Sequence, residues 1–261
     1  MADGALKVAV DGGVARVTLD NAARHNAFDE ALIAALAEAW RGLAGRADVR
    51  AVVLQGQGPS FSAGADLAWM KRAAGQGREA NRADAEKLAR MLEALAALPQ
   101  PTVARVQGAV FGGGVGLVAA CDIAVAAEDA VFSLSEVRLG LVPAVISPYV
   151  LAAVGVRAAR RLMLTAERFP AAEAHRLGLV HRVVPAAALD DAVDAVLADL
   201  AQGGPAAQAE VKRLVRAIAG RPVDASVIAA TSASIADARA GAEGREGVAA
   251  FLEKRKPGWR P

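Results

Sequence analysis

Residues 108–123, GAVFGGGVGLVAACDI, decide the reading of the fold. Three consecutive glycines and a fourth two residues later stand between a β-branched run, TVARVQG (102–108), and an apolar helical segment. Glycine weakens regular structure but lets the backbone approach another group closely. Where a strand gives way to a helix, the helix start offers unpaired N–H groups and a positive potential. Gly112, Gly113, Gly114 and Gly116 could therefore cradle an oxyanion or a phosphate; tight helix packing without a ligand is the other reading. A phosphate-binding P-loop needs Gly-Lys-Ser/Thr after the glycines, and Val115-Gly116-Leu117 lacks it. A dinucleotide fingerprint forced onto Gly114, Gly116 and Ala119 leaves too little chain before DIAVAA (122–127) for a crossover helix and an acidic ribose partner.

A second stretch, FSAGADLAWM (61–70), repeats the arrangement, with Ala63-Gly64-Ala65 after a strand and before a helix. Two such turns on neighbouring strands of one sheet would aim two backbone N–H groups at one carbonyl oxygen, an oxyanion hole made without side chains.

Around these stretches strands and helices alternate, which predicts an α/β protein. ALKVAVDGGVARVTLD (5–20) reads as a hairpin turned at Gly12-Gly13. Asp29 caps a helix that runs to Gly45, and VRAVVLQG (49–56) is a strand apolar on both faces. The polar residues 71–86 read as an exposed or mobile segment before a helix over 86–98 that Pro99 and Pro101 stop. SPYVLAAVGVRAARRLMLT (147–165) is helical with a break near Gly155. Shorter helices follow at 171–178 and 189–202, and from Pro205 onward the pattern is helical only. A core over 1–200 and a helical region over 201–261 is the natural division.

The bulk properties narrow the function. The 261 residues suffice for a large core. Thirty basic and 28 acidic residues are intermixed to a net charge of +2, which argues against a nucleic-acid binder. One cysteine, Cys121, excludes an internal disulfide, and no Cys/His spacing suits a metal. MADGALKVAV lacks a signal-peptide pattern and no uncharged run is long enough for a membrane span, so a soluble, cytoplasmic protein is expected.

Four segments together resemble the enoyl-CoA hydratase/isomerase (crotonase) superfamily: FSAGADLAWM, residues 108–143, LTAERFPAAEAHRLGLVHRVVP (164–185) and EGREGVAAFLEKRKPGW (243–259). The resemblance implies an α/β crotonase (ClpP-like) spiral of repeated β-β-α units with a C-terminal helical trimerisation region, assembled as a homotrimer or a hexamer. It implies an acyl-CoA thioester substrate, with coenzyme A part of the substrate and no separate cofactor or metal. Its oxyanion-hole positions fall on the N–H groups of Ala65 and Gly113. Its first catalytic glutamate falls on Gly116 and is absent; its second falls on Glu136, set among Phe132, Leu134, Val137 and Leu139. Burial there would raise its pKa toward that of a usable acid or base.

The coenzyme A path falls on Ala63, Gly64, Asp66, Leu67 and Gly112, with Arg24 and Lys254 (or Lys256) for its phosphates. Trp69 and Met70 could wall the acyl pocket. The family's dehalogenase branch needs an aspartate where Ala144 stands. EVRLGLVPAVISPYV (136–150) and SAGADLAWM look like the bacterial methylglutaconyl-CoA hydratases of leucine catabolism, whose carboxylated substrate would want a cation; Arg138 is the nearest in sequence. The single glutamate also suits a Δ3,Δ2-enoyl-CoA isomerase, and a catalytically weak CoA-thioester binding protein is a third reading. His25, His175 and His181 read as loop or helix-end residues and Cys121 as core.

Overall fold

A computed structural model describes residues 5–260; the first four residues of the segment read above as lacking a leader lie outside it. The chain opens with an antiparallel hairpin, β1 (Leu6–Asp11) and β2 (Val14–Leu19), followed by α1 (Glu30–Ala44). Three units then each send one strand into a larger sheet and the next into a smaller one. They are β3 (Ala51–Gly56) with β4 (Ser60–Ser62), β5 (Thr102–Val106) with β6 (Ala109–Phe111), and β7 (Ile123–Ala127) with β8 (Val131–Ser133). Helices close the units: α2 (Leu67–Ala74) and α3 (Arg78–Ala96) after β4, α4 (Gly113–Ala120) after β6, and a 3-10 turn (Glu136–Leu139) with α5 (Ser147–Thr165) after β8. β9 (Phe169–Pro170), α6 (Ala171–Leu177), β10 (Arg182–Val184) and α7 (Leu189–Ala201) complete the core. Then come α8 (Pro205–Ile218), α9 (Ala225–Ala240) and α10 (Ala242–Leu252), with no strand beyond Pro205 among the described residues.

The large sheet runs β1-β2-β3-β5-β7-β10 and the small one β4-β6-β8-β9. From β2 to β10 the large sheet is parallel, and so is the small sheet from β4 to β8. This stepwise advance, one strand in each sheet per turn, is the β-β-α spiral expected from the sequence. The apolar strand reading holds because β3 is covered on both faces: Val52, Val53 and Leu54 are fully buried. Val53, Val103 and Val125 meet Leu189 and Val193 of α7, while Leu54 joins the core that contains Trp40 and Leu36 of α1. Asp29 caps α1, its Oδ1 accepting the Leu32 N–H at 2.8 Å, and Gly155 breaks α5 at φ +74°.

Residues 71–86 match the expected exposure but differ from the expected helix start at 86. They are largely exposed, as read, yet most are helical, because α2 runs to Ala74 and α3 starts at Arg78, about three turns before Leu88, its first residue packed on the core. The first half of α3 has no buried stripe, but Arg, Glu and Ala are good helix formers and its charges pair along the helix, Lys87 with Asp84 and Arg82 with Glu79. Only Met91, Leu92 and Leu95 are buried. The C-terminal helices are fastened to the core by Lys212, which meets Asp122 at 2.6 Å, and by Arg50, which donates to the Gly203 and Trp259 carbonyls. No helix among the described residues is long and apolar enough to cross a membrane.

One buried side chain fixes the loop that leads into the site. Asn26 is fully buried at φ +54°; its amide donates to the carbonyls of Gln57, Ser60 and Phe61, and its oxygen accepts the Asn21 N–H at 2.9 Å. Asn26→Ala strands these groups and puts a Cβ-only residue in a left-handed conformation that asparagine tolerates better. A loss of about 2–4 kcal/mol is expected, read as a lower urea midpoint at unchanged slope; a midpoint within experimental error of wild type would contradict it.

Candidate active site

Strands β4, β6 and β8 lie side by side and parallel, so their C-terminal ends reach one edge of the small sheet. Open α/β sheets offer their ligand crevices at such ends. Ala63-Gly64-Ala65 follows β4, Gly112-Gly113 follows β6, and Ser135-Glu136 follows β8. The first two turns touch: a Cβ on Gly64 would stand 2.9 Å from the Phe111 carbonyl oxygen, so only glycine permits this approach.

The free N–H groups follow from the local backbone. Ala65 pairs with Phe28 as a parallel bridge, in which Phe28 donates to the Gly64 carbonyl and accepts from the Asp66 N–H. Successive peptide groups of a strand face opposite edges, so the Ala65 N–H faces away from Phe28. Gly113 is the first residue of α4, where N–H groups have no helical acceptor. Neither N–H has a protein acceptor among the described residues.

Glu136 opens the 3-10 turn after β8 and packs on Gly112; a Cβ on Gly112 would lie 3.1 Å from Glu136 Oε1. Its Oε2 is buried with no partner among the described residues. Burial pushes its carboxyl above the ordinary 4.5, against a smaller opposing effect of a hydrogen bond from its own backbone. All three groups, Ala65, Gly113 and Glu136, line one cavity of about 450 Å³. Among the described residues, Glu136 is its one titratable lining residue. Gly116 is fully enclosed, and a Cβ there would stand 2.2 Å from Ile146 Cγ2, so the position that the resemblance gives to a first glutamate is filled by Ile146 from the start of α5.

Of the remaining sequence candidates, Ala63, Gly64, Gly112, Trp69 and Met70 line the cavity, and Leu67 stands 80% exposed at its mouth. Asp66 is outside the lining: its Oδ1 caps α2 by accepting from Ala68 and Trp69, and its Oδ2 meets Arg24 at 3.2 Å. The Trp69 bond, then those from Ala68 and the Arg24 charge, hold its carboxyl below the ordinary range. Arg24 is thus beside the site but engaged with Asp66. Lys254 and Lys256 follow α10, and neither they nor Arg138 are brought to this cavity. His25 supports the β4 turn, its Nδ1 2.9 Å from Ser60 Oγ, and burial pushes the Cys121 thiol up to about 12, which leaves it inert. Residue-type reasoning missed the apolar arm Leu139–Ile146 that walls the far side; its signal was VPAVISPY, apolar residues with no strand or helix period ahead of a helix.

A two-sheet spiral with backbone donors and one half-buried carboxylate at the parallel strand ends defines a class of site suited to a carbonyl oxygen that gains negative charge. The profile of the enoyl-CoA hydratase/isomerase family matches residues 9–261, and the chain belongs to that family. The crystal structure of an enoyl-CoA hydratase from Shewanella pealeana superposes with a TM-score of 0.95 at 44% identity, covering 98% of this chain and 96% of that one. Pseudomonas aeruginosa AtuE superposes with a TM-score of 0.95 at 40% identity over 98% of this chain and all of its own, 100%. A Thermus thermophilus relative is 37% identical over 246 residues, 94% of this chain and 97% of that protein.

The raised carboxyl of Glu136 ties stability to pH. The folded state holds this proton more tightly than the unfolded chain, so stability is lost as pH rises from the unfolded value through the folded one. Glu136→Gln should therefore raise the melting temperature at pH 7–8, with the gain vanishing below about pH 4. An equal gain at all pH values would show that burial of the charge is not its cause.

Proposed function

We propose that the chain is a hydro-lyase that adds water across the double bond of a 2-enoyl-CoA thioester. The reading is carried by one observation: two N–H groups without an acceptor among the described residues and a half-buried carboxylate whose Oε2 is enclosed and unpartnered there, around a single cavity. The thioester oxygen accepts from the Ala65 and Gly113 N–H groups, which stabilises the negative charge that develops on it; losing one such donor typically costs roughly 2.7–4 kcal/mol of barrier. The Glu136 carboxylate takes a proton from water as its oxygen bonds to C3, and electrons move through C2 and C1 to the thioester oxygen. The enolate then collapses and Glu136 returns that proton to C2. One carboxylate serves as base and then acid, and coenzyme A is part of the substrate rather than a separate cofactor.

Within this class the acyl group we favour is 3-methylglutaconyl or a related branched glutaconyl chain, on the resemblance of the 136–150 segment. Its distal carboxylate would extend to the open mouth, since no basic side chain among the described residues lines the cavity. Coenzyme A would run past Ala63, Gly64, Gly112 and Leu67, with the Asp66 backbone alongside, and Arg24 would turn from Asp66 to a phosphate. Lys254 would serve a phosphate only from outside this chain's own cavity, as in an assembly of copies. Helices α8–α10 expose Val211, Val215, Ile228, Ile235, Val248 and Phe251, an apolar surface that suits trimer or hexamer formation by the 201–261 region. The free, buried Cys121 suits a reducing, cytoplasmic setting.

A second reading, Δ3,Δ2-enoyl-CoA isomerisation, is favoured by the lone carboxylate, since moving a proton from C2 to C4 through a dienolate needs one base. The two are separated by turnover of 3-methylglutaconyl-CoA, crotonyl-CoA and a 3-enoyl-CoA, followed by enoyl-thioester absorbance and product mass. Hydration is expected to add one water and to fall about 10²-fold or more in Glu136→Gln. Its acid limb should lie above the ordinary 4.5, with activity rising as pH rises because the base form is needed. Double-bond migration without added mass would instead select the isomerase, and binding without turnover of all three would reduce the chain to a thioester-binding protein.

A further inference from the structure

Gly113 and Gly116 are one turn apart on α4, and residues three apart share a helix face. The wall beside the Gly113 N–H is therefore set by whatever covers Gly116. It is covered from outside the helix: a Cβ on Gly116 would meet Ile146 Cγ2 at 2.2 Å and Ile146 Cβ at 2.9 Å. Ile146 is 3% exposed, lines the cavity, and stands at the head of α5 after the Pro143–Val145 bend. Glu136 covers Gly112 at the other end of the same turn. Along one helical turn the cavity thus offers a carboxylate, a backbone donor and the branched end of an isoleucine.

We propose that Ile146, seated on Gly116, is a specificity-determining residue that selects an acyl chain with a methyl branch at C3. This rests on the thioester reading above. With the carbonyl oxygen on the Ala65 and Gly113 N–H groups, C3 is two bonds from the carbonyl carbon. Its substituent then falls against the next turn of α4, within reach of the isoleucine. A methyl branch there buries against hydrocarbon, and an unbranched chain leaves that contact unmade. One methyl or methylene in an apolar pocket is commonly worth about tenfold or more in selectivity. The contact is possible because position 116 has no side chain; any larger residue would displace Ile146.

Calorimetric binding of two saturated thioesters, 3-methylbutanoyl-CoA and butanoyl-CoA, tests this without requiring turnover. Wild type is expected to bind the branched ligand about tenfold more tightly, and Ile146→Ala to bring the two affinities within about twofold. Ile146→Val keeps Cγ2 on Gly116 and loses one methyl, so it should retain the fold and fall between them. Equal affinities in wild type, or a preference that survives in both variants, would overturn the proposal. Failure of wild type to bind either ligand would overturn it together with the thioester reading. A preference that follows Ile146, without hydration of any enoyl thioester, would leave the proposal standing and remove only the hydratase reading.

Discussion

The parallel alignment of β4, β6 and β8 is the constraint on which the rest of the site depends. Each strand is only three residues long, so its contribution is position rather than area. Each is tied by a tight connection to a longer strand of the large sheet, and β3, β5 and β7 are themselves in parallel register. The large sheet and its apolar faces thus set where the short strands end. Hydrophobic burial far from the cavity fixes the spacing of Ala65, Gly113 and Glu136, and such preorganisation is what the proposed action of backbone dipoles on a developing charge requires.

The chemistry at these ends draws on two opposite uses of burial. The N–H groups gain strength from a dry surrounding, whereas the Glu136 carboxylate is penalised by it. The protein keeps the penalty by giving Glu136 Oε2 no partner and by lining the cavity with apolar residues. Elsewhere carboxylates are stabilised instead: Glu173, held by Arg176 and Arg161, is drawn down to about 2. The contrast separates a carboxyl whose charged form is disfavoured from carboxylates that join surface elements, and ordinary surface pairs contribute little to stability.

Packing against α4 shows how little space the first turn allows. Gly114 abuts the Ser62 carbonyl, Gly113 lies against Phe28, and Gly116 lies under Ile146. The glycine run is therefore a packing device, and the same bare backbone leaves the Gly113 N–H open for the donor role proposed for it, because both need a backbone surface that another group can touch. The two readings of its sequence, close approach and helix packing, are joint consequences of one geometry.

The sequence by itself determined the alternation of elements, the cap at Asp29, the break at Gly155, the two glycine-bearing turns and the apolar setting of Glu136. These are local properties, fixed by side-chain periodicity and backbone freedom within a few residues. It read the exposure of residues 71–86 but missed that most of them are helical, because the helix there is stabilised by propensity and charge pairing with little apolar stripe to mark it. Only the tertiary structure decided that Ala65, Gly113 and Glu136 share one cavity, that Arg24 is engaged with Asp66, and that Ile146 fills the space over Gly116. Those facts depend on strand register and on contacts between residues distant in the chain, which no short stretch of sequence encodes, because register is set by the burial of whole sheets.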